Sequence, residues 1–173
     1  MEVSIRCERP EDYEKITAVN NSAFGQPNEG RLVTSLRNRK DFDPSVSLVA
    51  ELNGDIVGHI LFHPIKIKSD KGVYNSIALA PMCVTPGLQR KGVGSLLVEE
   101  GIRRLKKLGH KSVIVLGHAD YYTRFGFKPA SKWIIRPPFE APESAFMALE
   151  LVEGGLKGIS GIVEYPHEFT EAE

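Results

Sequence analysis

The chain has 173 residues, 42% of them hydrophobic and 25% charged, values that suit one globular domain with a core of its own. Its 22 basic and 22 acidic side chains cancel, which excludes the broad basic field of a protein that binds nucleic acid. No apolar run reaches the roughly 18 residues needed to span a bilayer, no basic-then-apolar leader opens the sequence, and Cys7 and Cys83 are too few for a disulfide framework. The expectation is a cytoplasmic protein with no membrane partner.

In chain order, Val3 to Arg9 alternates partly and predicts a strand. Pro10 opens a helix that places Tyr13, Ile16, Val19, Asn20 and Phe24 on one face. Gly25 to Asn28 breaks it, and Glu29 to Arg39 forms a second helix with Leu32, Val33 and Leu36 inward. Ser47 to Leu52 is a strand. Asn53-Gly54 is a hairpin signal, because both positions of the tight turn need positive φ. The return strand runs from Asp55 to about Lys68, and Tyr74 to Val84 is a third long strand. A long helix follows over Gly92 to Leu108, with Val93, Leu96, Leu97, Val98, Ile102, Leu105 and Leu108 as its apolar face and Gly109-His110 as its cap. Ser112 to Leu116 is short and apolar, so it is a buried strand, and its helical crossover makes it parallel to the strand ending at Val84. A short helix is expected at Tyr121–Phe125, stopped by Gly126. Arg136 to Pro142 reads as an exposed connector and Phe146 to Val152 as a last strand. Gly154-Gly155 and the polar tail read as an edge or a loosely held C-terminus. The expected organisation is one domain over 1–152, with 153–173 packed on it or trailing from it.

The chemistry concentrates in Val84-Thr-Pro-Gly-Leu-Gln89-Arg90-Lys91-Gly92-Val93-Gly94-Ser95. Pro86 ends the strand because it has no N–H to give a ladder. The backbone N–H groups at a helix start form an anion site. Gly92 and Gly94 let a ligand approach the backbone, and Gln89, Arg90 and Lys91 add donors and charge. The implied ligand carries a phosphate or pyrophosphate; the alternative is a tight strand-to-helix turn with a solvated basic rim. Two other phosphate motifs fail. Gly87-x4-Gly92 has P-loop spacing, but Val93-Gly94 stands where Lys-Ser/Thr is needed. Gly92-x-Gly94 opens like a dinucleotide fingerprint, but Leu97 occupies the place of the third glycine. A metal reading of His59-x-x-x-His63 fails on reach: four residues along a strand span about 13 Å, too far for one zinc ion with bonds of about 2.1 Å.

Gln89-Arg90-Lys91-Gly92-Val93-Gly94 resembles the Gln/Arg-x-x-Gly-x-Gly/Ala signature of the GNAT superfamily of acyl-CoA N-acyltransferases. Tyr121-Tyr122-Thr-Arg124-Phe125-Gly126-Phe127 is similar to a second segment of that family, and the two stand in the family's order and spacing. Leu79-Ala-Pro-Met82, Arg124-Phe-Gly-Phe127 and Tyr165-Pro-x-x-Phe169 resemble a YhbS-like subgroup. The resemblance covers roughly residues 3–150. It implies an α/β fold: a mixed, mostly antiparallel sheet, opened by a V-shaped splay between two central parallel strands and flanked by helices. It implies N-acetyl transfer from acetyl-CoA to an amine acceptor by direct attack in a ternary complex, with a non-catalytic acyl-CoA-binding sensor as the alternative.

By that resemblance, Met82, Cys83 and Val84 hold pantetheine through the backbone, with a Val84 or Cys83 N–H as oxyanion donor. Gln89, Arg90, Lys91, Gly92, Val93, Gly94 and Ser95 hold the pyrophosphate. Tyr122 protonates the departing thiolate, Tyr121 faces the core, and Arg124 pairs with cofactor phosphates or decorates the surface. The first two helices lie over the acceptor end or merely cover the sheet. The carboxylate that many members carry just before the Val84 position is missing here. Read from the residues, His118, Asp120 and His63 are the substitutes, with an amine deprotonated in bulk solvent as the alternative; Cys83 could accept an acyl group, but a buried strand cysteine is usually inert. No resident metal is implied, and a homodimer is left open.

Overall fold

The computed structural model describes residues 2–171. Its elements in chain order are β1 (Ser4–Cys7), α1 (Tyr13–Phe24), α2 (Asn28–Arg37), β2 (Ser47–Leu52), β3 (Asp55–Ser69), β4 (Gly72–Val84), α3 (Val93–Lys107), β5 (Ser112–Leu116), α4 (Ala119–Tyr122), β6 (Lys128–Pro129), β7 (Ile135–Arg136), β8 (Phe146–Glu150), β9 (Gly161–Glu164) and α5 (Glu168–Glu171). The strands join in the order β1-β2-β3-β4-β5-β8-β6, with β9 beside β3 and β7 beside β9. Pairing is antiparallel for β1–β2, β2–β3, β3–β9, β5–β8 and β6–β8, and parallel for β4–β5 and β7–β9. This is the expected mixed, mostly antiparallel sheet. The β4–β5 ladder consists of Ile77↔Val113 and Ala78↔Ile114, and β4 runs on past it to Val84.

The chain forms two compact units. One comprises residues up to His63, Ala80–Arg104 and the segment from His167; the other comprises Pro64–Leu79 and Leu105–Pro166.

In the first unit β3 is buried on both faces, and its period of two sorts its contacts. Leu61 packs with Ile16, Leu32, Val33 and Leu36 of α1 and α2 and with Val49 of β2. The alternate residues Gly58 and Phe62 meet Leu97 and Gly101 of α3. Gly101 has to be glycine because the Phe62 ring takes the space of a Cβ. The buried stripe of α3 is Val93, Leu97, Val98, Gly101 and Leu105. Leu96 and Leu108, expected inward, are 43% and 51% exposed. A single sheet face takes a narrower stripe than the apolar residues offer. In the Asn53-Gly54 turn φ is 52° and 83°, as the hairpin requires.

The start of α1 differs from the prediction. A 3-10 turn, Pro10–Asp12, precedes it, because Asp12 Oδ2 accepts from Arg9 N at 2.8 Å and from Arg6 Nη1 at 2.7 Å.

The second unit packs Ile65 and Ile67 of β3, Ala78 of β4, Ile114 of β5 and Phe146 and Ala148 of β8 into one core. Leu156 and Val163 of the tail join that core, and β9 pairs with β3 through Lys66↔Glu164, Ile67↔Val163 and Lys68↔Ile162. The tail is therefore knit into the sheet rather than loosely held; Ala172 and Glu173 lie outside the described residues. Gly109, at φ 87°, ends α3 as expected, with His110 N bonding Leu105 O and Gly109 N bonding Lys106 O, both at 3.1 Å.

A buried polar network ties the first unit's helices to its strands. Arg37 of α2 donates to Glu8 through Nε at 2.8 Å and Nη2 at 3.2 Å. Ser47 Oγ of β2 donates to Glu8 Oε1 and lies 3.0 Å from His59 Nε2 on β3. Asn20 Nδ2 of α1 lies 3.5 Å from His59 Nδ1. The Ser47 proton goes to the carboxylate, so His59 Nε2 carries the proton of the next bond and Nδ1 is left to accept from Asn20.

That neutral tautomer fits the site: burial pushes the imidazole down to about 3, and the Arg37 charge adds to this. The unfolded imidazole takes its proton near ~6.5, so the unfolded state binds more protons between these values. Stability is whole above about pH 6.5 and falls as pH drops toward about 3, by about 1.4 kcal/mol per pH unit. We expect urea unfolding at pH 4.5 to show about 2–3 kcal/mol less stability than at pH 6.5. Most of that slope should be absent in His59→Gln. An unchanged slope in the variant would assign the acid sensitivity elsewhere.

Candidate active site

The basic Gly-containing loop lies in the first unit and is braced from both ends. Thr85 N donates to Val57 O and Leu88 N to Thr85 O, each at 2.8 Å, which fixes the 3-10 turn Pro86–Leu88 against β3. Gln89 Nε2 donates to Val84 O at 3.1 Å. Its amide therefore ties the loop to the end of β4, where the sequence suggests a donor for a ligand. Arg90 and Gly92 are both left-handed, at φ 63° and 89°. A Cβ on Gly92 would meet nothing within 4 Å, so the need for glycine there is conformational. Helix α3 closes its first bond from Leu96 N to Gly92 O at 3.1 Å, so the N–H groups of Val93 and Gly94 precede the intrahelical ladder. Val93 is buried and pins the helix start, while Arg90, Lys91 and Gly92 are exposed. The arrangement is an open helix start, of the kind that suits an anion, with two exposed cationic side chains at its rim.

At the end of β4, Met82 and Val84 are half-buried and Cys83 is buried. The Cys83 thiol takes a hydrogen bond from the His59 backbone, yet burial pushes it up to about 12, and the negative charge of Glu29 pushes the same way. A thiol this weakly acidic holds its proton at neutral pH, which argues against Cys83 as an acyl-accepting nucleophile.

Tyr122 and Arg124 lie in the second unit. Tyr121 N and Tyr122 N both bond His118 O at 3.1 Å, and Gly126 ends the turn at φ 98°. The Tyr122 ring is 8% exposed. It makes edge contacts with Tyr121 at 5.0 Å and Phe127 at 5.6 Å between centroids. A Cβ at position 117 would come 2.5 Å from Tyr122 Cε2, so Gly117 makes the room for the ring. Burial raises the Tyr122 hydroxyl above its ordinary value, and it stays protonated throughout the neutral range. Tyr121, expected to face the core, is half-buried and carries the Arg124 guanidinium over its ring at 4.6 Å. Arg124 Nε also bonds Tyr121 O at 3.3 Å.

The substitutes for the missing carboxylate separate clearly. His118 and Asp120 are exposed in the second unit. His63 is fully buried on β3, with Nε2 3.6 Å from Asp41 Oδ1, and His59 belongs to the Glu8 network. Sequence reasoning missed Glu29, in the first turn of α2, whose charge reaches the end of β4. Only its place beside the Gly25–Asn28 break hinted at this. Among the described residues no helix is long and apolar enough to cross a membrane.

Comparison with known proteins gives concordant results. The profile of the Acetyltransferase (GNAT) family matches residues 13–127. The uncharacterized N-acetyltransferase YhbS of Escherichia coli K12 is 32% identical over 167 residues, 96% of this chain and 98% of its own length. A second E. coli K12 protein, the uncharacterized N-acetyltransferase YjhQ, is 41% identical over 120 residues, 69% of this chain but 66% of its own length. The crystal structure of E. coli YhbS in complex with CoA superposes with a TM-score of 0.90 at 31% identity, over 98% of this chain and 93% of that one. A GNAT family acetyltransferase from Brucella melitensis in complex with acetyl-CoA gives 0.79 at 32% identity, over 97% and 98%.

Proposed function

The chain belongs to the GNAT family of acetyltransferases, and from that premise we propose that it moves an acetyl group from acetyl-CoA to a primary amine by direct attack in a ternary complex. The observation that carries the reading is the loop from Gln89 to Ser95, where left-handed Arg90 and Gly92 deliver the chain to the open N-terminus of α3. A pyrophosphate is the ligand such a helix start suits, and Arg90 and Lys91 add the charge to hold it. The two solved relatives bound to CoA and to acetyl-CoA support the same cosubstrate.

In this reading the backbone at Met82, Cys83 and Val84 holds pantetheine. The neutral amine nitrogen attacks the thioester carbon, the N–C bond forms and the C–S bond breaks, the electron pair leaves on sulfur, and the extra proton on nitrogen passes to water. Tyr122 gives the thiolate a hydrogen bond and then its proton, and takes one back from water. Arg124 is engaged with Tyr121 and Phe125, which favours an orienting role in the aromatic turn over a phosphate contact. The unbridged cysteines Cys7 and Cys83 support a reducing compartment, the cytoplasm.

The test is a thermal-shift titration with acetyl-CoA, CoA, ATP and NAD in parallel. Near 100 times the dissociation constant, a ligand of the native state adds about 2.7 kcal/mol, or about 5–10 °C for a chain of this size. The expected result is a shift with acetyl-CoA and CoA and none of comparable size with ATP or NAD. A flat response to both CoA species, or tighter binding of ATP or NAD, would overturn the assignment.

A further inference from the structure

Two adjoining cavities, of about 690 and about 380 Å³, are lined by residues between Ser131 and Phe146, all of the second unit. Both volumes suit a small molecule. The sequence reads 136–142 as an exposed connector, but Phe139 anchors it. Its ring stacks on Tyr165 and meets Phe146 edge-on, each at 6.1 Å between centroids. The walls are thus formed without a ligand.

Ile134 stands at the smaller cavity in the left-handed region, at φ 57°, and is 64% exposed. A β-branched residue is rarely found there. Two bonds hold it: Ile134 N donates to Ser131 O at 2.9 Å, and Ile134 O accepts from Gly161 N at 3.0 Å. Asparagine would take this turn with less strain, and the isoleucine gains little burial in return. Strain kept in this way points to a contact with a ligand rather than to framework.

Ile135, Pro137 and Phe146 continue the apolar wall. Arg136 and Glu143 line the same cavity, yet among the described residues neither forms an ion pair, with the other or with any further side chain. Two opposite charges that share a cavity without meeting leave room between them for a molecule of both signs. Glu143 would repel a simple carboxylate and Arg136 a simple amine, whereas a zwitterion satisfies both. Ala145 O, between Glu143 and Phe146 in the chain, accepts from Gly117 N at 2.9 Å, and Gly117 makes the room for the Tyr122 ring. The cavity wall is therefore joined to the turn that carries Tyr122.

We propose that this cavity binds a free amino acid with an apolar side chain. Arg136 takes its carboxylate, Glu143 its ammonium group, and Ile134 and Phe146 its side chain. The site stands whether or not the chain transfers acetyl groups.

Calorimetric titration compares leucine with leucinamide, which lacks the carboxylate, and with isocaproate, which lacks the ammonium group. Leucine should bind, and each analogue at least about tenfold more weakly, the lower end for a hydrogen bond to a charged group. Arg136→Gln should weaken leucine about 10- to 100-fold and remove its advantage over leucinamide. Arg136→Lys, which keeps the charge but not the fork, should restore part of the loss. Glu143→Gln should remove the advantage over isocaproate. Ile134→Asn should weaken leucine about fivefold and raise the melting temperature by about 2–4 °C, a trade that a residue serving only the framework would not make. The CoA thermal shift should stay unchanged in every variant.

Leucine acetylated in the presence of acetyl-CoA would make the cavity the acceptor's seat, and leucine bound but returned intact would make it an effector site; both keep the proposal. No binding at millimolar leucine overturns it. So do equal affinities for leucine and its two analogues, an unaltered affinity in Arg136→Gln, and a melting temperature that falls in Ile134→Asn. Failure of the unmutated protein to bind CoA would sink the acetyl-transfer reading alone, since leucine binding is read separately.

Discussion

Replacing Tyr122 with Phe is expected to lower kcat about a hundredfold while leaving the CoA thermal shift in place. The substitution removes one oxygen and little else. The ring keeps its edge contacts with Tyr121 and Phe127 and its seat over Gly117, so the fold around α4 has no reason to move. What is lost is a hydroxyl that burial holds in its protonated form. A thiol has a pKa near ~8.5 and an ordinary phenol one near ~10, so full transfer of the proton to sulfur is uphill. Raising the phenol makes it more so. The useful interaction is therefore the hydrogen bond that strengthens as charge builds on sulfur, with the phenol drawing a replacement proton from water as transfer completes. Interactions of this kind contribute about 10²- to 10⁴-fold, and the uphill transfer argues for the lower end. Steady-state turnover with a cationic amine, read beside a CoA titration of the same variant, checks the result. A kcat within threefold of the unmutated value would mean that water alone protonates the thiolate. A protein that binds CoA and transfers to no amine even with Tyr122 intact would instead be a sensor.

The parts of the chain legible from sequence are those where a local rule has no competitor. Ser47–Leu52 and Ser112–Leu116 are the strands expected, because short apolar runs bounded by turn residues have few other ways to be buried. Asn53-Gly54 makes its turn, and the loop before α3 turns where the glycines permit. What was not legible depends on partners far apart in the chain. Nothing local shows that Leu96 and Leu108 would be left exposed, since the width of the buried stripe on α3 is set by the β3 residues that receive it. The tail after Gly155 looks polar, yet Leu156 and Val163 enter the core, Ile159 and Tyr165 pack against it, and the β3 edge pairs with β9. The resemblance turns Tyr121 toward the core, yet Tyr122 is the buried one, its ring seated over Gly117, and no local pattern shows that. At the candidate site the loop was readable because its seven residues are consecutive. Glu29 was not, because its charge bears on Cys83 only after α1 and α2 have folded back over β3.

That fold-back rests on Glu8, and replacing it with Ala should cost about 3–5 kcal/mol, the penalty for leaving one member of a buried ion pair alone. The Arg37 guanidinium would keep its place over the Tyr13 ring, 3.9 Å from the centroid, but with no carboxylate to neutralise it. Ser47 would lose the acceptor of its proton. It could then donate only to His59 Nε2, which would force the ring proton to Nδ1, opposite the Asn20 amide N–H. The damage thus runs from Glu8 along the whole chain of hydrogen bonds to α1, and this is why the loss should exceed that of a single surface pair. In a protein of this length the melting temperature should fall by about 10 °C, and the urea midpoint should fall with the slope unchanged. A loss below about 1 kcal/mol would show that Arg37 finds water or another partner and that the network is not what holds α2. The companion variant Glu8→Met with Arg37→Met removes both charges together and should recover much of the stability, because two apolar side chains leave no buried charge alone.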